Sequence, residues 1–142
     1  MLTQSKLDAM LEMIMGGRAA EEIIYHHFTS GASNDLSRAT EYAHRMVCNW
    51  GMSEKIGPFH LGDQRGDVFL GRDMLRKNNM SEETAKIVDQ EVDKIVNSAY
   101  KSALEKLKKH IQILHDLAKK LLKEETIEGK EVLDLVQRSK TA

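Results

Sequence analysis

The chain has 142 residues, of which 41% are apolar and 30% charged, and its formal net charge is −1. This length suits one domain with a hydrophobic core, and the near balance of 21 basic and 22 acidic residues argues against nucleic acid as a partner. No run of apolar residues exceeds three, so no segment is predicted to insert into a membrane. Cys48 is the only cysteine, which excludes an internal disulfide and is typical of a small buried side chain.

Two helices are predicted in the first third of the chain. Apolar residues recur at three- and four-residue steps from Thr3 to about Tyr25, which predicts a first helix over that range. The same spacing returns after the loop "HHFTSGAS". There Ser33 is placed to cap the start of a second helix, and Gly51 is placed to end it.

The segment from residue 52 to residue 79 has a different character. It contains Pro58, four glycines, and two short alternating pieces, "FHL" and "DVFLG", on either side of the turn-rich "GDQRG". Alternation bounded by turn residues is typical of short strands. We therefore expect a small β-hairpin or an extended segment around residues 58–71.

The second half of the chain is predicted to be helical throughout. Ser81 is placed to start a long helix, whose apolar stripe continues to Leu107. A bend near His110 leads to a fourth helix, and a short fifth helix follows around residues 132–136. Short connections between amphipathic helices favour antiparallel packing. The predicted fold class is therefore mainly α, an antiparallel bundle of about five helices.

The residues of the chain do not themselves form a complete active-site motif. None of the six histidines is paired at the i, i+4 spacing that lets two imidazoles on one helix reach the same zinc ion. Asp35, near the start of the second helix, either stabilises that helix start or supplies a rigid carboxylate to a metal held partly by other ligands. His26 and His27 offer a substitute metal site with Asp35, although their spacing does not favour it.

Five successive stretches of the chain carry a family resemblance. They are "GGRAAEEIIY", "TSGASNDLSRAT", "MVCNWGMSEKIGP", "VFLGRDM" and "SEETAKIVDQEVDKIV". From about Leu7 to about Leu135 the sequence resembles the peptidase domain of the FtsH family, which comprises membrane-anchored, ATP-dependent zinc metalloproteases.

The resemblance implies a zinc site to which this chain contributes one ligand. In the family, two histidines of an HExxH helix and the aspartate of the "GASND" turn hold the zinc, and the HExxH glutamate is the general base. The aspartate corresponds to Asp35. Glu21 matches a family position near the zinc, where it would orient a liganding imidazole or remain a surface acid. HExxH does not occur in this sequence, so residues 1–142 are expected to form one domain, the C-terminal part of the peptidase domain, without a catalytic residue.

The resemblance also implies partners and a location. These are an N-terminal peptidase segment, an ATPase domain, a homo-hexamer and unfolded or membrane protein substrates, at the cytoplasmic face of the bacterial inner membrane or its organellar equivalent. The chain alone is expected neither to bind zinc tightly nor to cut peptides. The alternative is a non-catalytic helical interaction or assembly module that keeps the peptidase fold.

Overall fold

Five α-helices account for most of the residues that the computed structural model describes, which are residues 1–61 and 80–141. One short 3₁₀ turn precedes the second helix. The mainly α fold and the number of helices agree with the sequence prediction. The elements are α1 (Gln4–Tyr25), the 3₁₀ turn (Ser30–Ala32), α2 (Ser33–Cys48), α3 (Glu82–Lys109), α4 (Ile111–Glu124) and α5 (Gly129–Thr141).

The hydrophobic core lies between α1, α2 and α3. The apolar stripe of each helix faces the other two, and small alanine side chains let the helices approach closely. Cys48 is fully buried, as its sequence context predicted. The buried apolar residues of these helices are Leu7, Leu11, Ile14, Met15, Ala19, Ala39, Ala43, Met46, Val47, Cys48, Val88, Ala99 and Ala103.

Side-chain caps fix the starts of the two long helices. The Thr3 hydroxyl accepts a hydrogen bond from the Lys6 N–H at 3.3 Å, and the Ser81 hydroxyl accepts one from the Thr84 N–H at 3.1 Å. Each bond satisfies an N–H that has no partner within its helix. His110 separates α3 from α4, which confirms the predicted bend.

Helices α4 and α5 pack more loosely than the first three. No residue of α4 is buried within the described part of the chain, and α4 contacts mainly α5 and the end of α3. Lys120 of α4 forms an ion pair with Glu131 of α5 at 2.6 Å. No helix of the described residues is both long and apolar enough to cross a membrane.

The β-hairpin predicted around residues 58–71 is not confirmed. Residues 58–61 contain no strand. The Leu61 N–H donates instead to the carbonyl of Cys48, at 2.7 Å. Cys48 is the last residue of α2, so this N–H is bonded to the helix end and not to a neighbouring strand. Residues 62–71 lie outside the described residues.

Gly51 turns the chain after α2 rather than ending the helix itself. The helix ends at Cys48, where the Asn49 N–H donates to the Arg45 carbonyl at 2.8 Å, and Gly51 follows with a φ of +61°. A Cβ on Gly51 would lie 3.1 Å from the Cα of Pro58. The position therefore needs glycine both for its left-handed backbone and for the close approach of the returning chain.

We expect Gly51→Ala to destabilise the chain by about 1–2 kcal/mol, because alanine disfavours the left-handed conformation and would crowd Pro58. Urea unfolding followed by circular dichroism measures this loss. Gly129→Ala is the matched control, because Gly129 starts α5 and a Cβ there would meet nothing within 4 Å. Equal stability of the wild type and Gly51→Ala would contradict this account of the turn.

Candidate metal-ligand site

Asp35 is the third residue of α2 and presents its carboxylate to solvent. The side chain is 43% exposed, and Arg38 approaches it only to 3.9 Å between Nη1 and Oδ1. An ion pair this long and this exposed is weak, so the carboxylate oxygens of Asp35 are able to bind a metal ion. The first turn of a helix is also a stiff support. The carboxylate therefore suits one position in a metal site, although the position also stabilises the helix start.

The cap of this helical region lies four residues earlier than predicted. Ser33 was expected to be the N-cap of α2, but its backbone is already helical, with φ −58° and ψ −44°. The 3₁₀ turn Ser30–Ala32 runs directly into α2, and Ala32 provides no side-chain cap. Thr29 is the capping residue, since its Oγ1 accepts a hydrogen bond from the Gly31 N–H at 3.2 Å. The prediction was wrong because one short turn extends the helical path toward the N-terminus.

Glu21, one turn before the end of α1, binds Thr29 with both carboxylate oxygens. The Thr29 hydroxyl donates to Oε1 at 2.7 Å, and the Thr29 N–H donates to Oε2 at 3.4 Å. Because the same hydroxyl accepts from Gly31, the contacts form a continuous chain from α1 to the turn before α2. The structure thus places Glu21 against the "TSGA" turn.

The pKa of Glu21 is lowered from its usual value of 4.5. The hydrogen bond from the Thr29 side chain is the main cause, because it stabilises the ionised carboxylate. The backbone bond from Thr29 and the charges of Arg18 and His27 act in the same direction, and partial desolvation opposes them. Glu21 therefore binds the turn as an anion.

The two adjacent histidines lie at the end of α1, and neither is grouped with Asp35. His26 ends the helix in the left-handed conformation, with φ +56°, and the ring of His27 stacks on Tyr25 with centroids 5.7 Å apart. Within residues 1–61 and 80–141, no three His, Cys, Asp or Glu side chains are grouped to hold a metal ion. The structure therefore does not assemble the alternative site of His26, His27 and Asp35.

Besides the bond between Glu21 and Thr29, two contacts that hold the loop between α1 and α2 were not predicted from the sequence. One is the cap by Thr29, and the other is the guanidinium of Arg18, which lies 3.9 Å from the centre of the Phe28 ring. A hydroxyl residue two positions before a glycine is a recognisable turn signal. The cation–π contact spans ten positions and has no comparable local signature.

A separate cavity of about 580 Å³ lies between α1, α3 and the residues that follow α2. Glu12, Glu91 and Lys94 are among the charged residues that line it, while Asp35 and Glu21 are not. The candidate metal ligand therefore lies on an exposed helix start and not in this cavity.

The comparisons with known proteins identify the class to which this fold and this turn belong. Residues 1–135 match peptidase family M41, which covers almost the whole chain. The chain therefore belongs to peptidase family M41.

Several curated relatives bear the name FtsH. ATP-dependent zinc metalloprotease FtsH 3 of Symbiobacterium thermophilum is 46% identical over 137 residues, which are 96% of this chain and 22% of the relative. A protein of the same name from Petrotoga mobilis is 46% identical over 138 residues, 97% of this chain and 21% of the relative. FtsH of Thermotoga maritima is 45% identical over 132 residues, which are 93% of this chain and 22% of the relative. The chain thus spans about a fifth of these relatives, and its resemblance to the FtsH family is confirmed.

The lowered pKa of Glu21 predicts a pH dependence of stability. Because the folded-state pKa lies below the unfolded value near 4.5, the ionised carboxylate stabilises the fold above that pH, and the contribution disappears as the pH falls through the lowered pKa. We expect Thr29→Val to return the Glu21 pKa toward 4.5, because valine removes the main donor. An NMR titration of the Glu21 side-chain carboxyl carbon in both proteins measures the shift. An unchanged Glu21 pKa in Thr29→Val would refute the assignment of its cause.

Proposed function

We propose that this chain is part of an ATP-dependent zinc metalloendopeptidase and that Asp35 supplies a carboxylate ligand to its zinc. The observation that carries the proposal is the exposed carboxylate of Asp35 on the first turn of α2, within the "GASND" turn of an M41 chain. A carboxylate oxygen is an accepted zinc ligand, and three protein ligands with one open position are usual for catalytic zinc. The other two ligands and the general base would come from an HExxH helix, which is not among residues 1–142.

The zinc and Asp35 would have different roles in this site. Bound zinc would polarise the scissile carbonyl and lower the pKa of its water. Asp35 would hold the metal from α2, with its position set by the 3₁₀ turn and the core packing of α2. This chain alone would neither bind zinc tightly nor hydrolyse peptides, since no described group of residues supplies three ligands.

The proposal also covers the domain organisation, the partners, the substrates and the location of the protein. Residues 1–142 would constitute a single domain, the C-terminal part of the peptidase domain. Its partners would be the N-terminal peptidase segment, an ATPase domain and identical subunits of a hexamer. The substrates would be unfolded or membrane proteins, and the domain would lie at the cytoplasmic face of a bacterial inner membrane or its organellar equivalent. The names of the relatives, ATP-dependent zinc metalloproteases, support the ATPase and zinc parts of the proposal.

A second candidate is a non-catalytic interaction or assembly module. The loosely packed α4 and α5 favour it, because Leu122 is 86% exposed and Leu133 is 62% exposed. Exposed apolar side chains on neighbouring helices are typical of contact surfaces. In this case the identity of residue 35 would not affect zinc content or proteolysis in any assembly.

We expect Asp35→Asn to reduce zinc affinity by about 100-fold or more, because the amide is neutral and ligates zinc poorly. The test uses a chimera in which this chain replaces the matching region of the Symbiobacterium thermophilum relative. Zinc content by mass spectrometry and ATP-dependent casein degradation are the measurements.

Glu41→Gln is the matched control for Asp35→Asn, since Glu41 is another exposed acid of α2 and forms its ion pair with Arg45 of the same helix. The control should keep its zinc and its activity. If Asp35→Asn also keeps both at the level of the unsubstituted chimera, Asp35 is not a ligand, and the interaction module becomes the better interpretation.

We expect the 142-residue chain alone to show no saturable one-to-one binding of micromolar zinc, because the other ligands would have to come from outside it. Isothermal titration calorimetry with zinc chloride measures this. Stoichiometric binding that is lost in His26→Ala or His27→Ala would revive the alternative site with Asp35.

A further inference from the structure

We infer that Glu21 is a positioning residue that holds Asp35 in place through Thr29 and the turn Ser30–Ala32. The inference rests on the proposed function, because it assigns Glu21 to the placement of the proposed ligand. It differs from the expectation that Glu21 orients a liganding imidazole. In the structure its direct partner is the backbone segment that leads into α2.

Glu21 and Thr29 form a two-point contact. Each carboxylate oxygen accepts one hydrogen bond from Thr29, at 2.7 Å from the hydroxyl and at 3.4 Å from the N–H. Two bonds from one residue fix the orientation of Thr29 as well as its distance from α1. The hydroxyl bond to an ionised carboxylate is also stronger than a bond between neutral groups.

The backbone from Thr29 to Asp35 is continuous in its helical path. The Thr29 hydroxyl accepts from the Gly31 N–H, and the Ser33 N–H donates to the Ser30 carbonyl. The 3₁₀ turn then passes into α2 without a break. A shift of Thr29 relative to α1 would therefore move the whole first turn of α2, including Asp35.

The turn packs tightly against Glu21 and Thr29. A Cβ on Gly31 would lie 3.2 Å from Thr29 Oγ1 and 3.8 Å from Glu21 Oε1. Ala32, the last residue of the turn, is itself buried, with 6% of its surface exposed. Glycine at position 31 thus lets the backbone lie directly against the two side chains, which leaves the turn little room to shift.

The expected size of the effect follows from how metal sites depend on their supporting contacts. Loss of a residue that orients a ligand typically costs about 10–100-fold in metal affinity. We therefore expect Glu21→Gln and Thr29→Val each to reduce the zinc affinity of the chimera by about tenfold or more. The double variant should lose little more than either single variant, because both remove the same contact. Thr29→Ser should restore the affinity, since serine keeps the hydroxyl.

The zinc measurement separates the two roles of Glu21. If Glu21 acts on an imidazole instead, Glu21→Gln lowers the affinity and Thr29→Val does not, and the inference is overturned. Glu105→Gln, an exposed acid of α3, is the control for the loss of one negative charge.

A second measurement does not involve zinc. In the 142-residue chain, amide hydrogen exchange followed by NMR should be faster at Gly31 and Ser33 in Glu21→Gln and Thr29→Val, and unchanged at the buried Met46 of α2. Faster exchange at Met46 as well would show a general loss of structure, and unchanged exchange at Gly31 would show that Glu21 does not hold the turn. Either result would overturn the inference. Because this readout is independent of Asp35, it separates failure of the positioning role from failure of the ligand assignment.

Discussion

The packing of α1 against α2 and α3 is the constraint on which the rest of the structure depends. Leu7 and Leu11 of α1 are almost completely buried, and the alanines of the facing helices let the three backbones approach closely. Burial of side chains of this size contributes about 1.5–3 kcal/mol each. This core fixes the end of α1 relative to the start of α2. The loop between the two helices contains Thr29, which binds Glu21, and the turn Ser30–Ala32, which leads to Asp35.

Periodicity and capping chemistry predicted most of the helical fold. The three- and four-residue spacing located the helices, and the start assigned to Ser81 was correct because a hydroxyl before an apolar stripe is a local signal. The cap by Thr3 was not predicted. The cap assigned to Ser33 was wrong because a 3₁₀ turn precedes α2. The alternation near residue 58 suggested a strand, but Leu61 finds its backbone partner at the end of α2.

Less of the candidate site than of the fold could be predicted from the sequence. Local physics allowed Asp35 to be either a helix-start residue or a ligand, and only the family resemblance favoured the ligand. The contact of Glu21 with Thr29 joins residues eight positions apart across a helix end, so no helical period predicts it. The resemblance placed Glu21 near the zinc, whereas the structure shows which group it binds in this chain.

The single-residue junction at His110 divides the chain into two parts with different tolerances to change. The helices that pack around α2 lie before the junction, and within residues 1–61 and 80–141 α4 and α5 add no residue to the hydrophobic core clusters. Substitutions that alter the exposed faces of α4 and α5 would therefore leave the geometry around Asp35 intact.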